Sequence, residues 1–418
     1  MYALVDAVSF YASAEKVFDP SIRNKPVVVL TNNDGCICAV CPIARRLGIP
    51  KFEPYFKIKW LLQKHGVVVR SSNYELYADL SERMMNVIAR YSDNTHIYSI
   101  DEAFVHFKNY SGLIKDWHQY GHEIRRAIWK ETKLPVGVGF GTTATLAKAA
   151  NHAAKKLPGY NGVAVIYSKE STKDILQQMS VGDVWGVGRK ISKRLNMQGI
   201  NNAFQLSAIS PKAIRREFSV VTERTVNELN GISCLSWDEV REDKKQIFST
   251  RSFGQRIVDI NELKAAISKH GVTVAKKLRQ QSSLVKKLFI FASSSPHDEL
   301  YYKKSLVYIF PVATDNSCEI SRAISNVIDQ IFKQEVKFYR CGIGAIELES
   351  RHFNQPDLFM PDNSNPALML CLDKINNRYG QGTLKLGSEG KSEVWQMRRE
   401  FLSPQFTSNW KDIPKINC

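Results

Sequence analysis

The chain opens on a short apolar run, Tyr2-Ala3-Leu4-Val5, that stops at Asp6, the pattern of a buried strand whose end reaches a functional edge. Ser9 is placed to cap a helix over Phe10-Tyr11-Ala12-Ser13-Ala14-Glu15. Val27-Val28-Val29-Leu30 predicts a strand, Asn33-Asp34-Gly35 a turn, and Cys36 to Val40 the returning strand. A small helix begins at Ala44-Arg45-Arg46-Leu47-Gly48 and ends at glycine and proline. Leu76, Leu80, Met84, Val87 and Ile88 form one stripe, which predicts an amphipathic helix over 74–91. Apolar and β-branched residues flank Ser99-Ile100-Asp101-Glu102 on both sides, so two strands are expected to meet there in a tight hairpin. A helix over 116–130, a strand Pro135 to Phe140, an Ala-rich helix Thr142 to Lys156 and a strand Gly162 to Tyr167 follow. That order suits a mixed sheet with helices on one face, as in ferredoxin-like folds.

The pattern then changes. Residues 168–235 read as a small helical unit in which Val184-Trp185-Gly186-Val187-Gly188-Arg189-Lys190 lies between two helical stretches. Glycines there let backbone N–H groups approach a phosphate at the next helix N-terminus, although a Gly-x-Gly also fits an ordinary loop. Residues 236–246 are charged and aperiodic, as a linker is. Gln246 to Ile257 is extended, and basic residues accumulate from Arg251 and Arg256 to Lys286 and Lys287. Strand-like Leu288 to Ala292 and Leu306 to Phe310, a helix from Ser321 to Lys333 and a strand from Tyr339 to Leu348 predict a second α/β domain. The remainder offers a short helix over Ala367 to Leu372, a turn at Gly380 to Thr383, and an aromatic-rich end with Trp395, Phe401, Phe406 and Trp410.

Length changes this picture little: 418 residues exceed one ordinary core and imply several domains. Charge changes it more. With 58 basic against 41 acidic residues the formal charge is +17, which favours a polyanionic partner, nucleic acid or an acidic membrane surface. No apolar run approaches the ~20 residues of a membrane span, and Asp6 interrupts the N-terminus before any secretory pattern, so a cytoplasmic protein without a membrane partner is expected. Eight cysteines in such a chain do not suggest a disulfide framework. Cys36, Cys38 and Cys41 invite a zinc reading, but no fourth ligand lies at a standard spacing, so part-buried thiols are the other reading.

The candidate chemistry sits on the hairpin. Adjacent side chains of a strand point to opposite faces, so Asp101 and Glu102 converge only where the strand pattern breaks. With the strand-end Asp6 they make three carboxylates, the donor type that Mg²⁺ prefers and the set used for two-metal phosphoryl displacement. A polar hairpin tip is the bland alternative for the Asp-Glu pair.

Asp6 with Phe10-Tyr11, followed by Ser99-Ile100-Asp101-Glu102-Ala103-Phe104, resembles the Y-family of translesion DNA polymerases. Leu30-Thr31-Asn32-Asn33-Asp34-Gly35, Ser71-Ser72-Asn73-Tyr74-Glu75-Leu76-Tyr77-Ala78-Asp79 and Ala147 to Lys156 are similar to its UmuC-type catalytic subunits, over almost the whole chain. The resemblance implies an α+β right-hand polymerase: a ferredoxin-like palm (1–18 and 73–167), small fingers (19–72), a helical thumb with a helix-hairpin-helix (168–235), a linker (236–245), an α/β little finger (246–350) and a C-terminal tail (351–418).

The implied activity is template-directed, error-prone synthesis past damaged DNA in an SOS-type response. Two Mg²⁺ ions would be held by Asp6, Asp101, Glu102 and the Ala7 carbonyl. Phe10 and Tyr11 correspond to the floor and the sugar gate, and Arg45 and Lys155 to groups on the triphosphate of the incoming deoxynucleotide. Pro42 departs from the family, where many relatives carry an aromatic hydrogen-bonding group, which puts that side of the grip in doubt. Gly186, Gly188, Arg189, Lys190, Arg251 and Arg256 are the implied contacts to primer-template DNA. Gln355, Leu358 and Phe359 resemble a sliding-clamp peptide, and the tail beyond it the segment tied to a processed UmuD-type accessory dimer and a RecA-type filament. A nucleotide cyclase would use a related palm without thumb or clamp peptide, and a silent DNA-binding scaffold would have no need of all three acids.

Overall fold

The computed structural model describes residues 1–108, 110, 112–235, 243–353, 365–390 and 395–413. The chain divides into two units, Met1–Glu239 with Arg399–Cys418, and Val240–Arg398.

The first unit is built on a five-stranded sheet ordered Thr95–Ile97, Glu102–His106, Tyr2–Ala7, Val136–Gly141, Val163–Ile166. Tyr2–Ala7 lies antiparallel to both of its neighbours, and the last two strands are parallel. The helices do not share one face, contrary to the ferredoxin-like expectation in that detail. Tyr74–Ile88 and Trp117–Thr132 pack where Val138 and Phe140 point, and Ala144–Lys156 covers the opposite side. The cause lies in the strand Val-Gly-Val-Gly-Phe-Gly, whose glycines all face the Ala-rich helix. A Cβ on Gly139 would stand 2.0 Å from the Asn151 backbone nitrogen. Asn151 itself is buried and donates to the carbonyls of Leu4 and Gly137 at 3.1 and 2.8 Å, pinning the helix across two strands.

A smaller sheet, ordered Ile37–Val40, Val27–Leu30, Val68–Ser71, carries the short helices Pro42–Arg46 and Tyr55–Lys64. Its hairpin turns through a 3₁₀ segment, Asn32–Asp34, where Asn33 takes φ 59°. Ser9 occupies the N-cap position of Phe10–Glu15 but makes no capping hydrogen bond. It is left-handed (φ 49°), because the chain must swing from strand to helix in two residues. The thiols of this region are engaged locally: Cys41 Sγ accepts from the Val27 and Ala44 amides, and Cys38 donates to the Val29 carbonyl.

Residues 399–413 return to this unit. The Glu400 amide donates to Asp34 Oδ2 at 2.8 Å and the Ser71 amide to the Phe401 carbonyl at 3.0 Å. Phe401 packs on Tyr55, and Phe406 stacks on Phe18. Asn73, fully buried, accepts from the Leu76 amide to cap Tyr74–Ile88 and donates to Ser403 Oγ. The helices Lys169–Gln178, Arg189–Met197, Ala203–Ser207, Pro211–Glu217 and Val220–Leu229 share a further core. Glu228 joins it to the first turn of Ala144–Lys156 by accepting from the Thr145 amide at 2.9 Å.

The second unit has a four-stranded antiparallel sheet, ordered Lys303–Thr314, Ser283–Ser293, Phe338–Ser350, Ile247–Ile257, packed on the helices Ile260–Gln280 and Ser317–Ile331. The 21-residue helix Ile260–Gln280 occupies the stretch that reads as a basic run in sequence. Its Leu263, Ile267, Val274 and Leu278 are buried, while its lysines, all part-exposed, interrupt that stripe in sequence. Pro366–Tyr379 is longer than the Ala367–Leu372 reading and is held by Asp373, which accepts from Arg279 Nε at 2.6 Å. Trp395 is buried in this unit beside Phe253.

Candidate active site

The end of the first strand and the tip of the Thr95–Ile97/Glu102–His106 hairpin meet by register. Asp6 is the Cα partner of Glu102, and the Ala7 amide donates to the Asp101 carbonyl at 2.9 Å. Asp101 is oriented by Ser99, whose hydroxyl donates to Oδ1 at 2.7 Å. Asp6 Oδ2 is 2.6 Å from Lys155 Nζ, and Glu102 takes both oxygens to Lys148 Nζ at 2.9 and 3.1 Å. Burial pushes the Asp6 carboxyl above its ordinary range. Lys155 pulls it back, and the charges of Glu102 and Asp101 push it up again. The three acids are therefore close enough to feel one another.

Among the described residues no three His, Cys, Asp or Glu side chains are arranged to hold a metal. In this structure the carboxylates of Asp6 and Glu102 instead hold lysine ammonium groups. The donor set nonetheless fits Mg²⁺, since all three side chains offer hard carboxylate oxygens on adjoining backbone positions, where mutual repulsion favours a bound cation.

Asp6 and Asp101 open onto a cleft of about 460 Å³ that is also lined by Ala7, Phe10, Tyr11, Arg45 and Lys155. The four residues read from the sequence for the nucleotide site, Phe10, Tyr11, Arg45 and Lys155, thus share one cavity with Asp6, Asp101 and the expected metal-site residue Ala7, while Glu102 pairs with Lys148. Tyr11 lies flat on Tyr77, with ring centroids 4.5 Å apart. Tyr77 is locked in turn by donating to Glu15 at 2.6 Å. Pro42 takes the first position of the helix that carries Arg45, behind a Cys41 cap.

Lys51 and Lys156 line the same cleft and were not singled out by sequence. Lys148 is the other omission. Its ammonium stands 4.8, 5.3 and 5.9 Å from the ring centres of Tyr98, Trp185 and Phe104, and Trp185 Nε1 donates to the Tyr98 hydroxyl at 3.3 Å. A signal was available, because Lys148 and Lys155 are two helical turns apart and so share a face.

Gly186, Gly188, Arg189 and Lys190 are all exposed, with Gly188 opening the helix Arg189–Met197. Gly186 needs its left-handed φ of 88°, whereas a Cβ on Gly188 would meet nothing within 4 Å. Arg251 is exposed on the strand Ile247–Ile257 of the second unit, and Arg256 bridges to Asp298 at 3.1 Å. Gln355, Leu358 and Phe359 lie outside the described residues, as does most of the expected linker.

Residues 5–152 match the model of the impB/mucB/samB family and residues 244–358 that of its C-terminal domain. Residues 366–416 match a domain of unknown function, DUF4113. The chain is 40% identical to protein UmuC of Salmonella typhimurium over 100% of both chains. It is 34% identical to protein MucB of Escherichia coli over 99% of both. Among solved structures, a Dbh–Dpo4–Dbh chimera of a Y-family DNA polymerase aligns with TM-score 0.60 at 19% identity, covering 82% of this chain and 98% of that one. An insertion ternary complex of Dbh DNA polymerase aligns with TM-score 0.54 at 18% identity, covering 84% and 99%. At 40% identity to UmuC over the full length of both, the chain belongs to the impB/mucB/samB family of UmuC-type proteins and has the fold of the Y-family DNA polymerases.

Proposed function

We propose that the cleft at Asp6 and Asp101 is where this chain, an error-prone DNA polymerase of the translesion type, joins a deoxynucleotide to a primer end. The observation that carries the assignment is the gathering of Asp6, Asp101, Tyr11, Arg45 and Lys155 around one cavity. Asp6, Asp101, Glu102 and the Ala7 carbonyl would hold two Mg²⁺ ions, which when bound make the primer 3′-hydroxyl more acidic and neutralise charge on the α-phosphate. Arg45 and Lys155 would supply cations to the triphosphate from two separate elements, one on the small-sheet helix and one on the Ala-rich helix. Tyr11, braced by Tyr77, closes the space beneath the sugar where a 2′-hydroxyl would sit. Lys148 keeps the Glu102 carboxylate oriented at the edge of the site.

In this reading residues 1–18 and 73–167 are the palm, 19–72 the fingers, 168–235 the thumb and 246–350 the little finger, in a cytoplasmic enzyme. The exposed Gly186, Gly188, Arg189, Lys190 and Arg251 suit the phosphates of primer-template DNA. Gln355, Leu358 and Phe359 would dock on the sliding clamp, and the C-terminal side would meet the UmuD-type dimer and the RecA-type filament. Replacing Leu358 and Phe359 with alanine should abolish clamp-stimulated synthesis on long templates, and full stimulation in that variant would refute the peptide assignment.

Primer extension with purified variants tests the site. Asp101→Asn should fold normally yet lose roughly 10²–10³-fold or more in single-nucleotide incorporation, since a neutral amide stabilises neither cation nor developing charge. Tyr11→Ala should stay active and raise ribonucleotide relative to deoxynucleotide incorporation. Near-normal extension by Asp101→Asn would remove the catalytic assignment, and an unchanged sugar ratio would remove that of Tyr11.

A further inference from the structure

A second cleft, of about 710 Å³, lies along the helix Trp117–Thr132, outside the catalytic cavity. One side of that helix is committed to the core through Gly121, Ile124 and Ile128. The cleft side carries His118, His122, Arg125, Arg126 and Trp129, facing Pro135 and Val136. These five recur over three helical turns on one stripe, so the grouping is a property of the helix face. Its charge is unbalanced. Asp116 is the sole acid in the lining, and its Oδ1 is occupied as the N-cap by the His118 and Gln119 amides at 2.8 and 3.1 Å.

Arg125 is built in rather than loose. Nε donates to the Val136 carbonyl at 2.9 Å and a terminal nitrogen to the Asn161 carbonyl at 2.6 Å, with Gly162 leaving room for the guanidinium. Neither acceptor is a carboxylate, so the positive charge stays unmatched there. Arg126 is exposed and forms no ion pair among the described residues. His122 is held below its ordinary value by burial first and then by Arg125, His118 and Arg126, with Asp116 opposing them. Beside these groups Trp129 leaves 47% of its surface open, a flat apolar plane next to cations.

We infer that this cleft binds a nucleotide unit of an unpaired DNA strand, with its phosphate at Arg126 and the histidines and its base stacked on Trp129. A phosphate matches the unbalanced charge, and an indole face accepts any base without reading it. Position adds to this. Val136 is the register partner of Ala7, and the Pro135 carbonyl accepts from the Val8 amide at 2.8 Å, so the cleft begins one strand away from the catalytic acids. The choice of a DNA strand over a free nucleotide rests on the polymerase function, because a polymerase always has an unpaired template at hand.

The full chain is cross-linked to an oligothymidylate containing 5-iodouracil, and the adducts are mapped by mass spectrometry. Adducts are expected on the 117–132 segment, in the wild type and equally in Asp101→Asn, which separates this site from catalysis. Trp129→Ala should remove them and weaken oligothymidylate binding about tenfold, as loss of one stacked base does. Arg126→Glu should weaken it roughly fivefold, while Lys130→Glu, the same charge change outside the lining, should cost less than about twofold. Competition by free dTTP at equal nucleotide concentration would identify a nucleotide site and overturn the strand assignment. Absence of adducts on this helix, or equal losses for Arg126→Glu and Lys130→Glu, would overturn the site altogether.

Discussion

Lys148 shows how much one side chain can decide. It pairs with both oxygens of Glu102 while three aromatic rings surround its ammonium, and one of those rings, Trp185, comes from the helical segment beyond the sheet. Removing the amine frees a half-buried carboxylate to rotate. Lys148→Ala is expected to lower the rate of incorporation by roughly 10–100-fold, in the range of losses when a partner orienting a ligand is removed. The nucleotide KM should change little, and Lys148→Arg should restore part of the rate. A variant affected only in KM would place the lysine on the nucleotide instead.

His270 gives a residue-scale test of stability. Burial first, and then Arg251, Lys269 and Lys277, lower its pKa from 6.5 to about 4, and its Nδ1 shares a 2.8 Å hydrogen bond with Ser249. The folded state holds it neutral while the unfolded chain protonates it near its ordinary value. Its contribution is therefore complete above pH ~6.5 and lost as pH falls toward ~4, at most about 3 kcal/mol. Unfolding melts between those pH values should show this slope, and His270→Gln should flatten it. An unaltered slope in the variant would assign the acid lability to other groups.

At the scale of elements, the packing of the Ala-rich helix onto the glycine strand is the feature with the least tolerance. The Cβ of alanine at Gly139 would overlap the backbone of Asn151 and the carbonyl of Ala147 at 2.0 and 2.5 Å. Backbone cannot move aside as a flexible side chain can. Gly139→Ala should destabilise the first unit by about 3 kcal/mol or more, visible as a lower melting midpoint. Melting at the wild-type temperature would mean that the strand and helix part without cost.

Much of this architecture is legible in the sequence, since period-2 and period-3.6 patterns survive wherever one face is buried. Val27–Leu30 is read at its observed bounds, and the hairpin of Asp101 and Glu102 is recognisable because its two acids interrupt an apolar pair of strands. The side of the sheet taken by Ala144–Lys156 was not legible, because glycines carry no polarity signal and only their alternation marks the face. Ile260–Gln280 was hidden by its lysines. In the site, the acids and the Tyr11 aromatic stand out by type and position. Arg45 and Lys155 needed the family resemblance, and Lys148 needed the fold to bring Tyr98 and Trp185 around it.

At the scale of the whole molecule, the first unit is discontinuous in sequence. Asn73 and Ser71 find partners in Ser403 and Phe401, and the Asp34 carboxylate accepts from Glu400. Ending the chain after Arg398 removes these partners from buried polar groups, each left at a cost of about 1–3 kcal/mol, and strips Phe401 and Phe406 from the core. Such a truncation should be protease-sensitive across residues 19–88 and inactive, even though it keeps Asp6, Asp101 and Glu102. Protease resistance equal to that of the longer chain would show that the return segment adds nothing to the unit.

That discontinuity also has a meaning in time. A ribosome releases Asp6, Asp101 and Glu102 early, but the residues that finish their unit emerge only after the whole of Val240–Arg398 has been translated. A nascent chain, or one cut short by a premature stop, therefore holds the chemistry of an error-prone polymerase in an unfinished body. For an enzyme whose product is mutation, activity is then expected only once synthesis has passed residue 403, where Asn73 finds Ser403.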